Sequence, residues 1–246
     1  MAAARYSPRE VVGDLGGMPV TIPSHFANFA EYDGDPGFGE RRVGSRPERT
    51  HQSKLRSFGF NVRFSDMVGL SDLKAKDDYK RHTIYDTPWI RVSITAGEDF
   101  GDGQFLERSV NGMNWRNPRF HFEKQLATQY GLFVYSPSNV APASRRTGKH
   151  HLDDKDWFVH YDAEGRVDAL ITCSNVNHDA APCEHYFFLP PPLKAKITVG
   201  YRRGLLPKWQ QIQSSVTPLI LRFKASTAPA AVRAAGLTGF SNGFNV

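Results

Sequence analysis

The stretch DWFVHYDAEGRVDALITCSN, residues 156–175, reads as two strands folded about a turn at Asp162–Gly165. Its neighbours carry the pattern outward. CEHYFFL (183–189) and AKITVGYRR (195–203) are two further strands, set apart by the three prolines 190–192. Upstream, LRSFGFNVRFSDMVGL (55–70) alternates at Phe58, Phe60, Val62 and Phe64, the period of a half-buried strand. PWIRVSITAG (88–97) repeats it, with Ile90, Val92 and Ile94 on one face and Arg91, Ser93 and Thr95 on the other. YGLFVYSP (130–137) is a further strand, and MPVTIP, held between two prolines, suits an edge.

The period changes in LLPKWQQIQSSVTPLILRF (205–223). Apolar residues fall there at Leu205, Trp209, Ile212, Val216, Leu219, Ile220 and Phe223, in the steps of three and four of an amphipathic helix. Pro207 suits its first turn, and Pro218 predicts a kink or break. SDLKAKDDYKR (71–81) is a second candidate helix with Ser71 as its N-cap. Strands at short intervals ending in one long helix predict an α+β domain: a mostly antiparallel sheet with the C-terminal helix packed on one face. Residues 1–7 read as a short linker remnant, 8–224 as the single domain, and 225–246 as an Ala/Gly-rich, loosely held tail.

Only Cys173 and Cys183 carry thiols in the 246 residues. They fall at the end of one strand and the start of the next, which allows a cross-strand disulfide. Two reduced buried thiols, or a metal or redox site, are the competing readings; the missing CxxC spacing weighs against the last. A disulfide implies an oxidising compartment such as a periplasm. It would also leave no thiolate for chemistry beside His185, which then reads as a structural histidine.

No GxSxG, HExxH, P-loop or dinucleotide-binding pattern is present. DGDPGFGE (33–40) reads as a turn and GEDFGDG (97–103) as a loop. The strongest metal candidate is GKHHLDDKD, with His150, His151, Asp153 and Asp154 in one short loop. RNPRFHFEKQ (116–125) interleaves basic and aromatic residues as base-stacking surfaces do, but a core strand flanked by solvated arginines explains it as well. The net charge of +6 favours an acidic partner. Nucleic acid is not the expected partner, since it fits poorly with an oxidised, extracytoplasmic protein.

Taken together, VVGDLGGMPVTIPSHFANFAEYDGDPGFGE, RPERTHQSKLRSFGFNVRFSDMVGL, TPWIRVSI, the ITCSN…PCEHYF hairpin and YRRGLLPKWQQIQSSV resemble a family of proteobacterial envelope proteins. These are immunity proteins encoded beside lipase-type effectors of type VI secretion. The resemblance covers most of residues 8–224. It implies a periplasmic protein tethered to the inner membrane by an N-terminal anchor, which this sequence lacks. It also implies a cognate secreted toxin as partner, with no catalytic residues and no cofactor. Candidate contacts on predicted loops are Tyr32, Phe38, Arg41 and Arg42 in the glycine-rich N-terminal segment, and Trp115 with Arg116. Two rival functions are an envelope assembly protein with a non-toxin partner and a metal-dependent envelope hydrolase using residues 150–154.

Overall fold

A computed structural model describes residues 10–37, 39–41, 43–45, 47–116, 121–137, 155–176, 178–189 and 193–225. The chain opens with β1 (Val11–Leu15), β2 (Met18–Ile22), β3 (Asn28–Tyr32), β4 (Leu55–Arg63) and the short β5 (Val68–Gly69). Helix α1 (Leu73–Arg81) leads to β6 (Trp89–Ala96), and two short helices follow, α2 (Phe105–Asn111) and α3 (Met113–Arg116). Then come β7 (Phe122–Lys124), β8 (Phe133–Pro137), β9 (Lys155–Tyr161), β10 (Val167–Ser174), β11 (Pro182–Phe188) and β12 (Ala195–Arg202). A 3₁₀ turn (Arg203–Lys208) runs directly into α4 (Trp209–Leu221).

One ten-stranded sheet takes the order β3-β4-β6-β12-β11-β10-β9-β8-β7, with β5 added to β4, while β1 and β2 form a separate ribbon. Neighbouring strands are antiparallel throughout. The period-two strands are the sheet's centre. Phe58, Phe60 and Val62 of β4, Ile90, Val92 and Ile94 of β6, and Ile197, Val199 and Tyr201 of β12 point to one face and are buried. Their cluster also contains Leu15, Val20 and Ile22 of the ribbon and Trp209, Ile212, Val216, Leu219 and Ile220 of α4. Phe223 closes it, with its ring 6.1 Å from Phe60 and 6.3 Å from Phe58. On the other face, α2 covers β10 through Leu106 and Val110, which pack with Val159, Val167 and Leu170.

Cys173 and Cys183 face each other across β10 and β11 and are joined, with Cα atoms 4.0 Å apart. Both are buried in the main cluster. The β9–β10 turn closes with Gly165 N donating to Asp162 O at 3.0 Å, and Gly165 has the positive φ of 78° that such a turn favours in glycine.

Several expectations shift. The cap of α1 is Asp72 rather than Ser71: its Oδ1 accepts from Ala75 N at 2.8 Å. Residues 130–131 are a two-residue turn bracketed by reciprocal Gln129–Leu132 bonds, so the strand expected at 130–137 begins only at Phe133. Residues 203–208 are 3₁₀ rather than α, and Pro218 lies inside α4, which continues to Leu221. Beyond α4, Thr21 N donates to Phe223 O and Ala225 N to Pro19 O, so the chain's exit runs along β2. The 1–7 segment and residues 226–246 lie outside the described residues.

Candidate partner interface

The sheet face opposite α4 is covered by α2 only over β9–β11. Beyond α2's reach, one cross-strand row runs Asn61 (β4), Arg91 (β6), Gly200 (β12), Glu184 (β11) and Thr172 (β10). Core-facing positions are even in β4 and β6 and odd in β12, β11 and β10, and this row looks the other way, so it is polar where the core face is apolar. The break in the row is Gly200. A Cβ built there would lie 3.7 Å from Arg91 Nη2, which places the exposed guanidinium beside a position that carries no side chain.

Walls rise around this floor. Helix α1 and the loop after it stand at one end, clamped by Asp78, which accepts from Arg63 Nη1 at 3.1 Å and from Trp89 Nε1 at 3.2 Å. Burial pushes the Asp78 carboxyl up, but those bonds outweigh it and hold it below its ordinary value. Arg202 Nε donates to Thr87 O, fixing the loop over β12. Tyr85 meets His178, from the β10–β11 connection, edge to face at 5.3 Å. The result is a hollow of about 660 Å³. Two of the side chains lining it are large hydrophobics in solvent, Tyr79 at 41% and Ile84 at 66% exposure, and Ile84 is followed in the chain by the 61% exposed Tyr85.

Its charge is one-sided. Lys80, Arg91, Lys155 and Arg202 line it, against Glu184 among the described carboxylates. Glu184 is already engaged, accepting from Lys155 Nζ at 3.1 Å and from the Tyr186 hydroxyl at 2.8 Å. Burial raises the Glu184 carboxyl, yet Tyr186, Lys155 and the nearby charge of Arg91 together hold it below its usual range. Among the described residues Arg91 has no hydrogen bond or ion pair of its own.

The residues singled out in the sequence do not assemble here. Tyr32 ends edge strand β3 with 8% exposure, its hydroxyl donating to Val12 O at 2.6 Å and Arg49 lying 4.2 Å over its ring. Arg41 is exposed in the loop beyond β3. Phe38, Arg42 and the side chains of Trp115 and Arg116 lie outside the described residues, as do His150, His151, Asp153 and Asp154. No group of three or more His, Cys, Asp or Glu placed to hold a metal occurs among the described residues. A second, smaller hollow of about 370 Å³ lies between α4 and β9–β10, where His160 Nδ1 meets Asp168 Oδ1 at 2.6 Å beneath Trp209.

No protein-family model matches the sequence, and no curated protein matches it. Among solved structures, Smlt3025, an immunity protein of the Stenotrophomonas maltophilia type IV secretion system, aligns with a TM-score of 0.59. The alignment covers 89% of this chain and 94% of that one at 16% identity. The two share a fold. The likeness spans most of both chains and not one common hairpin. No helix among the described residues is long and apolar enough to cross a membrane.

Proposed function

We propose that this chain is an immunity protein: a stoichiometric inhibitor that binds and neutralises a secreted effector toxin. The observation that carries the reading is the fold shared with Smlt3025 over 89% of the chain. Independent support comes from the sequence resemblance and from a hollow whose hydrophobic lining and arginine, without an ion pair among the described residues, suit a protein partner better than a buried reaction centre. The work required is occupation of the toxin's cleft or of its substrate entry through an interface of roughly 1,200–2,000 Å².

The site of action is the periplasm, supported by the buried Cys173–Cys183 disulfide, since such bonds persist in oxidising compartments. The inner-membrane tether and the lipase-type, type VI effector rest on the sequence resemblance alone; Smlt3025 belongs to a type IV system. The test is co-production with the effector encoded beside this chain's gene, exported to the periplasm of a susceptible host. Restored growth and a 1:1 complex on size-exclusion chromatography are the expected results. Unrelieved toxicity, with no complex, overturns the reading. Assaying that effector for lipid hydrolysis decides its class.

A further inference from the structure

We infer that the hollow above β6 and β12 receives a carboxylate side chain from an acidic loop of the effector, with the Arg91 guanidinium as its anchor. This rests on the immunity reading and adds the chemistry of the contact. Four observations converge on Arg91. It is exposed on the floor of a hollow of about 660 Å³. It has no hydrogen bond or ion pair among the described residues, whereas Lys155 in the same hollow is tied to Glu184. Its neighbour across the strand pair is Gly200, which has no side chain, so the guanidinium lies beside bare backbone there. Lys80, Lys155 and Arg202 add positive charge around it.

A guanidinium with an open side is built to take a carboxylate through paired N–H bonds, a geometry that lysine cannot reproduce. The walls reduce water's access, which strengthens such a pair relative to one on open surface. The occupant is a protein loop rather than a free acid because exposed Tyr79 and Ile84 line the hollow, with exposed Tyr85 following Ile84 in the chain. Exposed aromatic and aliphatic side chains around a central charged anchor are how protein interfaces concentrate their binding energy. A small acid would leave that rim uncovered.

The test is titration calorimetry of the wild-type chain and variants against the effector encoded beside its gene. Arg91→Ala should weaken binding by about 30-fold or more, and Arg91→Lys should restore only part of the loss. Gly200→Val keeps the arginine and fills the space beside it. A Cβ at this position is in ordinary contact and valine suits a strand, so the variant should fold normally and still lose binding. Arg222→Ala, an exposed arginine at the end of α4 on the opposite face of the sheet, should bind as wild type. Wild-type binding with Arg91→Ala and Gly200→Val both within twofold overturns the anchor and leaves the immunity reading standing. Absence of wild-type binding overturns both. Thermal melts of each variant show whether a loss comes from unfolding; Gly200→Val decides the matter if Arg91→Ala is destabilised.

Discussion

His185 is the one core histidine among the described residues, fully buried among Phe187, Tyr201 and Trp209, with Nε2 3.1 Å from Gln213 Oε1. Its Nδ1 has no partner among the described residues. Burial outweighs the glutamine's hydrogen bond and pushes its pKa down to about 3. The unfolded chain, by contrast, takes up a proton near pH 6.5. Between those values the unfolded state binds a proton that the native state refuses. The stability tied to a neutral His185 is therefore complete above about pH 6.5 and is lost as pH falls toward 3. Melting temperatures measured from pH 7 to 4.5 should fall more steeply for wild type than for His185→Leu; parallel curves would sink the assignment. Tyr130 is a second residue set against its surroundings. It holds φ at 54° beside Gly131 at 80° in a turn that favours Asn or Gly first. Trp209 Nε1 donates to its backbone oxygen, an interaction any residue there can keep. Tyr130→Asn should thus stabilise by about 1 kcal/mol and raise Tm by roughly 2–4 °C in a differential scan; a lower Tm would show that the exposed ring has packing of its own.

At the scale of elements, what could be read from the chain was whatever repeats with a clear period. The central strands β4, β6 and β12 alternate because one face meets the core and the other meets water, and α4 steps in threes and fours for the same reason. Edge strands β3, β5 and β7 carry two to five residues with few buried side chains, so their existence depends on the partner strand and not on local pattern. Helices α2 and α3 are likewise too short for a period to show. The groove was hidden for a different reason. Arg91, Gly200 and Glu184 are distant in sequence and meet only through strand register, although a lone glycine inside AKITVGYRR was a local sign that something approaches the backbone there. The disulfide was legible because ten residues of separation match two adjacent antiparallel strands. Its sulfurs are buried, so a reductant should not reach them in the native protein. Thiol labelling after dithiothreitol should stay near zero without denaturant and reach two per chain in guanidinium. The Cys173→Ala/Cys183→Ala variant should lose about 2–3 kcal/mol of unfolding free energy on the loop-entropy account. Labelling of the native protein at the unfolded rate would mean that the β10–β11 connection opens locally.

For the whole molecule the question is how a net charge of +6 and a cationic hollow act on a partner before contact. Charges spread over a surface mostly steer, and salt screens that steering over a Debye length of about 10 Å at 0.1 M. Hydrophobic rim contacts form only once the partners have docked, and they act on the lifetime of the complex. The division predicts two separable kinetic signatures. In surface plasmon resonance with the neighbouring-gene effector, raising NaCl from 50 to 500 mM should cut the association rate by about tenfold or more. The dissociation rate should change far less. Tyr85→Ala, which removes a 61% exposed ring next to Ile84 of the hollow, should do the reverse, accelerating dissociation and leaving association near its wild-type value. An association rate indifferent to salt would mean that the acidic loop does not lead the encounter. A wild-type dissociation rate in Tyr85→Ala would mean that the effector docks on another face of the sheet.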